Sequence, residues 1–247
     1  MFGRQKIAMV VAEVFGTAVL AIAVYSMVAR TSFPLFGGLA AGLVVAVMTL
    51  VLGNVSSAHF NPAVTLGLWS VRKVKTTIAI VNIAAQMLGG VVAWLLLKYF
   101  LGHNLDSLIQ GGFEWIAFFA EGVGALVFVF GFAAAIYQRF EGGKLAFCIG
   151  TSLLIGILIA SMGSNGVVNP AVALAMRSWN WAYAVGPLAG AIVGANLYAL
   201  LFAGDYPVVR IATASSTAKS SSTRTTTRRA TTKSKPRSKS RTSSRRR

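Results

Sequence analysis

The chain has 247 residues, of which 55% are hydrophobic and only 12% are charged, and its mean hydropathy is +0.69. Because a soluble domain carries roughly a quarter charged residues, this composition excludes an ordinary soluble protein and indicates a membrane protein. A single cysteine and two histidines exclude a disulfide framework, a cysteine-based metal site and a multi-histidine site.

Six apolar stretches are long enough to cross a bilayer, which takes about 20 residues. The first could be a cleaved signal peptide, but it exceeds the roughly 7–15 residues of a signal core and lacks a clean cleavage site, so we interpret it as a retained span. Two further apolar stretches, 57–70 and 164–178, are too short to cross. The six predicted spans are 7–29, 36–56, 78–101, 113–137, 145–163 and 181–203.

The net charge of +17 is concentrated near the C-terminus. Residues 212–247 contain twelve Lys and Arg and no acid, whereas residues 1–211 contain eleven Lys and Arg and all six acids. We therefore predict an apolar membrane domain over 1–211 and a basic Ser/Thr/Lys/Arg-rich tail over 212–247. The tail cannot bury a core and is expected to be disordered.

The basic residues of the short loops predict the orientation of the spans. With a cytoplasmic N-terminus, eight basic residues of the first 211 lie inside and three lie outside, which satisfies the positive-inside rule. An even number of spans then returns the C-terminus to the cytoplasm. We expect a multi-pass protein of the plasma membrane with both termini cytoplasmic.

The chain contains an internal repeat. Ala12–Glu13 recurs as Ala120–Glu121, and the Asn-Pro-Ala-Val sequence at 61–64 recurs at 169–172, both at an offset of 108 residues. The repeats, about 7–101 and 113–203, each contain three spans, so the second must be inverted relative to the first. Inverted repeats place a substrate path at their interface and use interrupted helices, here the two short apolar stretches.

Each Asn-Pro-Ala motif predicts a short helix that begins at its asparagine. Asparagine is among the best N-cap residues, and proline suits the first helical position because its missing N–H is not needed there. In an inverted repeat the two positive N-terminal ends meet within the membrane, where they repel cations while the asparagine amides donate to a passing oxygen. The motif residues are Asn61, Pro62, Ala63, Asn169, Pro170 and Ala171.

Glu13 and Glu121 are acidic residues inside apolar spans. An intramembrane carboxylate is costly and is by default functional or paired. Ion conduction or a proton relay is one interpretation. We favour a bracing role, in which each carboxylate accepts N–H groups from the irregular segment of its own repeat, because a relay has no need of a symmetric copy.

These motifs together resemble those of the aquaporins, the major intrinsic protein family, over residues 7–203. The resemblance implies an all-α membrane protein, an aquaporin-like bundle of six transmembrane helices plus two Asn-Pro-Ala half-helices in an inverted repeat, with one pore per subunit of a homotetramer. The other matching pieces are Ala12-Glu13-x-x-Gly16-Thr17, Ser57-Ala58-His59-Phe60 with Val64-Thr65, Gln86-x-x-Gly89, Glu121 and Gly186-Pro187-x-x-Gly190.

The resemblance also implies a second constriction, formed in the family by four positions that include an aromatic residue and an arginine. Counted from the two asparagines, these positions are Ala41, Ile157, Gly166 and Val172, and Val172 occupies the usual arginine position. We expect a wider, more apolar and uncharged ring that admits small neutral molecules such as glycerol, urea, peroxide or ammonia, with water as well.

Two further side chains have alternative interpretations. His59 either lines the cytoplasmic half of the pore as a hydrogen-bond donor, as the resemblance implies, or is a hydrogen-bonded wall residue. Arg177 either supplies charge at the outer mouth or extends its head group to the membrane interface, which we favour.

The sequence thus predicts a passive channel for water and small uncharged solutes. The alternative is a closed membrane scaffold or tether that acts through its basic tail. The tail either is solvated without a dedicated partner, or binds anionic lipid or, without sequence specificity, nucleic acid. An enzyme, a cofactor and a bound metal are not expected, because no nucleophile–base pair, metal cluster or phosphate loop is present.

Overall fold

The computed structural model describes residues 3–107 and 112–204, and over these residues the chain forms eight helices. The basic tail predicted over 212–247 lies outside the described residues. The helices are α1 (Arg4–Val28), α2 (Pro34–Leu52), α3 (Pro62–Ser70), α4 (Thr76–Leu101), α5 (Trp115–Tyr137), α6 (Gly142–Ala160), α7 (Pro170–Ala175) and α8 (Trp181–Leu201).

Six of these helices are long and apolar enough to cross a membrane, and only α3 and α7 are too short. The six long helices confirm the predicted all-α bundle, with boundaries that differ by a few residues. The sequence predicts a second span to residue 56, but α2 ends at Leu52 and Gly53 is its C-cap. The fifth span begins earlier than hydropathy indicates, at Gly142, because helical backbone continues into polar residues at the membrane edge.

Contacts between the long helices fix their relative directions. Gln86 of α4 contacts Glu13 of α1, and Gly89 of α4 approaches Thr17 of α1. Residue numbers therefore rise in the same direction along both helices, so α1 and α4 run parallel. In the second repeat, α5 and α8 run parallel in the same way, since Gly186 approaches Phe118 and Gly194 approaches Leu126. Below, the proximal side is the side where α1 begins and the distal side is the side where α1 ends.

The two repeats pack against each other through small residues. At the crossing of α2 and α6, a Cβ on Gly42 would lie 2.6 Å from the carbonyl oxygen of Gly150. Half-helix α3 approaches α8 at Gly67, and half-helix α7 approaches α4 at Gly90. Small residues allow this close backbone approach, on which helix association in a bilayer depends. Each half-helix is therefore held by the long helices of the other repeat.

Candidate functional site

The two Asn-Pro-Ala motifs each begin a half-helix. Pro62 and Pro170 are the first helical residues of α3 and α7. The Oδ1 atom of Asn61 accepts a hydrogen bond from the backbone N–H of Ala63 at 2.8 Å. Asn169 Oδ1 accepts from the N–H groups of Ala171 and Val172, at 3.0 and 3.4 Å. Both asparagine side chains are 2% exposed, so each N-cap lies inside the protein.

The same asparagines connect the two half-helices. Asn61 Nδ2 donates to the carbonyl oxygen of Val168 at 2.9 Å, and Asn169 Nδ2 donates to the carbonyl oxygen of Phe60 at 2.9 Å. The positive N-terminal ends of α3 and α7 therefore meet in the interior. An amide nitrogen carries two hydrogens, so each asparagine keeps one further donor after this reciprocal exchange.

An unusual backbone conformation precedes each half-helix. Ala58 and Phe60 have φ of 48°, and their equivalents at the 108-residue offset, Gly166 and Val168, have φ of 62° and 53°. Left-handed backbone costs energy in a large non-glycine residue, so its recurrence at matched positions marks a constrained segment. This conformation turns successive N–H groups toward one side, which forms a concavity that binds an anionic group.

Glu13 occupies the concavity of the first repeat. Its carboxylate accepts from the N–H groups of His59 and Phe60, at 3.2 and 2.9 Å, and from Gln86 Nε2 at 2.8 Å. The side chain is fully buried, and charge-assisted hydrogen bonds offset the cost of its desolvation.

Glu121 makes the equivalent contacts in the second repeat. One carboxylate oxygen accepts from Val167 N–H at 2.8 Å and from Ser164 Oγ at 2.7 Å, and the other accepts from Val168 N–H. Glu121 is also fully buried. These contacts are of the kind that the bracing hypothesis expects, since each carboxylate binds the irregular segment of its own repeat.

Two glycines make room for the left-handed residues. A Cβ on Gly16 would lie 2.7 Å from Cζ of Phe60, and closer still to two other atoms of that ring. Its equivalent, Gly124, faces Val168, whose Cγ2 would lie 3.2 Å from an added Cβ. Each glycine lies three residues after a bracing glutamate, so one turn of helix supplies both the carboxylate and the space.

His59 belongs to a polar cluster that exists only in the first repeat. Its Nδ1 lies 3.0 Å from Thr65 Oγ1, and this hydroxyl oxygen accepts a hydrogen bond from Gln86 Nε2 at 2.9 Å. The imidazole packs edge-on against Phe132, with ring centroids 5.8 Å apart. At the 108-residue offset, valine and alanine replace His59 and Thr65. His59 takes part in this hydrogen-bonded network and also borders a cavity described below, and its role in lining the pore stays a prediction.

Two cavities border the segments that precede the half-helices. A distal cavity of about 290 Å³ is bordered by Ile157 and Gly166, two of the four predicted constriction positions. Ala41 and Val172 are buried in the core, 1% and 2% exposed, and are not among the described residues that border it. A proximal cavity of about 280 Å³ is bordered by His59.

Arg177 has a contact that neither sequence interpretation included. Its guanidinium donates to the carbonyl oxygen of Leu105 at 3.1 Å, in the loop that follows α4. The Leu105 side chain is buried although it belongs to a loop. Arg177 therefore attaches a distal loop to the end of α7.

A model of the family described as "Major intrinsic protein" matches residues 3–198. The chain belongs to the major intrinsic protein family. It is 33% identical over 222 residues to Aquaporin Z of Photorhabdus laumondii, covering 78% of this chain and 96% of that protein. It is 31% identical over 231 residues to Aquaporin NIP1-1 of Oryza sativa, covering 87% and 81%. Major intrinsic proteins are channels for water or small neutral solutes and not enzymes, and this chain is a multi-pass membrane channel of that family.

The fold agrees with this membership. The structure is similar to the aquaglyceroporin from Plasmodium falciparum, with a TM-score of 0.66 and 21% sequence identity, covering 79% of this chain and 96% of that one. This likeness, together with the family match, confirms the aquaporin fold predicted from the motifs.

The sequence did not identify several residues that contact the two Asn-Pro-Ala motifs or Arg177. Phe60 and Val168 supply the carbonyl groups that accept from the asparagines, and Gly124 makes room for one of them. Applying the 108-residue offset to every residue near the motifs would have paired Phe60 with Val168. The recurring Glu-x-x-Gly sequence would have paired Gly16 with Gly124. No sequence signal identifies the partner of Arg177, because Leu105 lies in a loop outside the repeated motifs.

Proposed function

We propose that the chain is a passive channel whose constriction carries no charge and admits small neutral solutes such as glycerol, urea, peroxide or ammonia as well as water. The observation that carries this proposal is the identity of Val172. This residue follows the second Asn-Pro-Ala motif in the first turn of α7, at the position where the family usually has arginine. An aliphatic side chain there cannot reject a solute by charge or compete for its hydrogen bonds.

The other constriction positions support an uncharged ring. Ala41 and Gly166 are small, and Ile157 is aliphatic. A Cβ on Gly38 would lie 3.5 Å from Ile157 Cγ2, and one on Gly166 would lie 2.8 Å from the Ile157 carbonyl oxygen, so α2 and the segment before α7 both adjoin Ile157. Such a ring offers apolar contact to the carbon atoms of a solute such as glycerol.

The half-helices supply the polar part of the proposed path. A solute oxygen that leaves the ring next meets the free N–H groups of Asn61 and Asn169, held between two positive helix ends. These donors orient water and neutral solutes and disfavour cations. Glu13 and Glu121 are braces in this proposal, because their oxygens are already occupied by donors from the segments they hold.

Location and assembly are also part of the proposal. The excess of basic residues on the proximal side supports a plasma-membrane protein with its proximal side and both termini cytoplasmic. Large apolar side chains exposed on the outer helix faces, such as Leu43 at 64% and Phe147 at 71%, suit contact with lipid or with other subunits of a homotetramer. The basic tail is proposed to bind anionic lipid of the inner leaflet.

The test is stopped-flow light scattering on proteoliposomes, with water and glycerol permeability compared against empty vesicles. Both permeabilities should exceed those of the empty vesicles. Val172→Arg should reduce glycerol permeability strongly and water permeability less. Val172→Met is the matched control, because it adds bulk without charge. Unchanged glycerol flux in Val172→Arg would contradict the proposed role of this position.

The scaffold alternative is tested in the same vesicles by a chain truncated after residue 211. A channel should retain its water permeability without the tail. A full-length chain that conducts neither water nor glycerol would favour the scaffold.

A further inference from the structure

Each half-helix places a partial negative charge near the pore mouth on the side where the half-helix ends. The N-terminal ends of α3 and α7 are positive and lie inside, so their C-terminal ends, near Ser70 and Ala175, carry partial negative charge toward the proximal and distal sides. A negative helix end at a pore mouth attracts cations. A ring without arginine, as proposed above, does not oppose this attraction.

Basic residues follow the C-terminal end of each half-helix, and they differ in whether they border the two cavities described above. On the distal side Arg177 follows α7 and donates to the Leu105 carbonyl, and it is not among the described residues around the distal cavity. On the proximal side Lys73 follows α3 and borders the proximal cavity together with His59. The two mouths therefore differ in where their positive charge lies.

The position of Lys73 is fixed at both its backbone and its side chain. Its backbone N–H donates to the carbonyl oxygen of Leu68 at 2.9 Å, which ties it to the last turn of α3. Its Nζ lies 3.8 Å from the ring centroid of Tyr137, and that ring packs against Tyr198 with centroids 5.7 Å apart. A cation over an aromatic face is attracted to it, so the ammonium group is held over Tyr137, next to Ile136 of the cavity wall.

No counter-charge shares this wall. None of the described residues that border the proximal cavity is acidic. Glu13 is buried and already accepts three hydrogen bonds, and Glu141, between α5 and α6, is exposed and does not border the cavity. No acidic side chain at this wall therefore neutralises the charge of Lys73.

We propose that Lys73 is a specificity-determining residue that excludes cations from the proximal mouth of the pore. It opposes the negative end of α3 and supplies, at the opposite end of the path, the fixed positive charge that the ring lacks at Val172. This inference rests on the proposed channel function. A neutral solute does not respond to this charge, so Lys73 should affect the flux of ions and leave the flux of water and glycerol unchanged.

The test measures K⁺ influx with a trapped fluorescent K⁺ indicator, and water permeability by light scattering, in the same full-length proteoliposomes. Lys73→Gln should raise K⁺ influx relative to water permeability by about tenfold, the effect of roughly 1.4 kcal/mol from one nearby charge. Lys73→Glu should raise it further. Because mobile ions screen an exposed charge, the difference should shrink in 1 M salt.

Lys144→Gln is the matched control. Lys144 is also exposed and also lies over an aromatic ring, with Nζ 3.7 Å from the Phe140 centroid, but it does not border the proximal cavity. It should leave K⁺ influx unchanged.

Three outcomes would overturn the inference about Lys73. The first is unchanged K⁺ influx in both Lys73 variants, and the second is an equal rise of K⁺ influx in the Lys144 control. The third is a fall in water permeability large enough to account by itself for the change in the ratio of K⁺ influx to water permeability. Failure of the wild-type protein to conduct either water or glycerol would instead overturn the proposed channel function.

Discussion

The side-chain nitrogen of Asn61 lies 2.9 Å from the carbonyl oxygen of Val168, in the opposite repeat. Asn61→Asp tests this contact, because aspartate still caps α3 but replaces the donor with an oxygen that faces another oxygen. We expect the free energy of unfolding to fall by about 1–3 kcal/mol, the cost of a buried polar group left without its partner. Water permeability should fall as well, and both are measurable on purified protein in detergent and in vesicles.

Asn180→Asp is the control for this change. Asn180 also caps a helix, α8, and its Nδ2 also donates to a carbonyl oxygen, that of Gly112 at 3.3 Å. This contact is exposed, so water can replace it and the change in stability should be below about 0.5 kcal/mol. An equal loss of unfolding free energy in the two variants would show that the contact between the half-helices contributes no more to stability than an exposed one.

Glu121→Gln tests the brace in the second repeat. Glutamine has one acceptor oxygen, and its amide group would face an N–H or O–H donor that the carboxylate now accepts. We expect the melting temperature in detergent to fall, with a loss of about 1.5–3 kcal/mol for hydrogen bonds to a buried charged group. Glu13→Gln should behave alike, and the exposed Glu141→Gln should have no effect. A proton flux in wild-type vesicles that disappears in Glu13→Gln would favour a relay over a brace.

Gly16→Ala tests the space required by a left-handed residue. The added methyl group would overlap the ring of Phe60, whose own position is fixed by hydrogen bonds at its N–H and carbonyl groups. We expect a loss of about 1–3 kcal/mol from overpacking, measured by thermal unfolding. Gly143→Ala, in the first turn of α6 with open space around its Cβ, should be neutral or stabilising.

A second variant separates this overlap from other effects of Gly16→Ala. Combining it with Phe60→Leu should recover part of the lost stability, because the smaller side chain leaves space for the methyl group. Equal stability of the single and double variants would contradict the overlap as the cause.

Asn82→Leu should stabilise the protein. Asn82 is fully buried in α4, and neither its Nδ2 nor its Oδ1 has a hydrogen-bond partner among the described protein atoms. Replacing such a group with an apolar side chain of similar size should raise the free energy of unfolding by about 1–2 kcal/mol. Gln86→Leu is the control and should destabilise, because Gln86 binds Glu13 and Thr65. A loss of stability in Asn82→Leu would contradict the absence of a partner.

Much of the fold could be predicted from the sequence because its signals are local. An apolar run of about 20 residues identifies a span wherever it packs. Asparagine followed by proline defines a helix start from its own chemistry, and both half-helices begin where these residues predict. The inverted arrangement followed from the odd number of spans per repeat. The fold class and the family therefore needed no tertiary information.

The tertiary structure decided which atoms meet within that framework. The sequence placed Glu13 and Asn61 in the membrane. It did not predict that Asn61 contacts Val168 or that Glu13 contacts Gln86, because these contacts depend on which helices cross and at what depth. The left-handed backbone of Phe60 is imposed by those contacts against its own preference. The contact of the Lys73 ammonium group with Tyr137 of the other repeat depends on how α3 packs against that repeat, as does the position of Lys73 beside the proximal cavity. Local chemistry fixes where helices begin and how long they are, whereas hydrogen bonds and charges act over a few ångströms between residues far apart in the chain, so only the packed fold determines them.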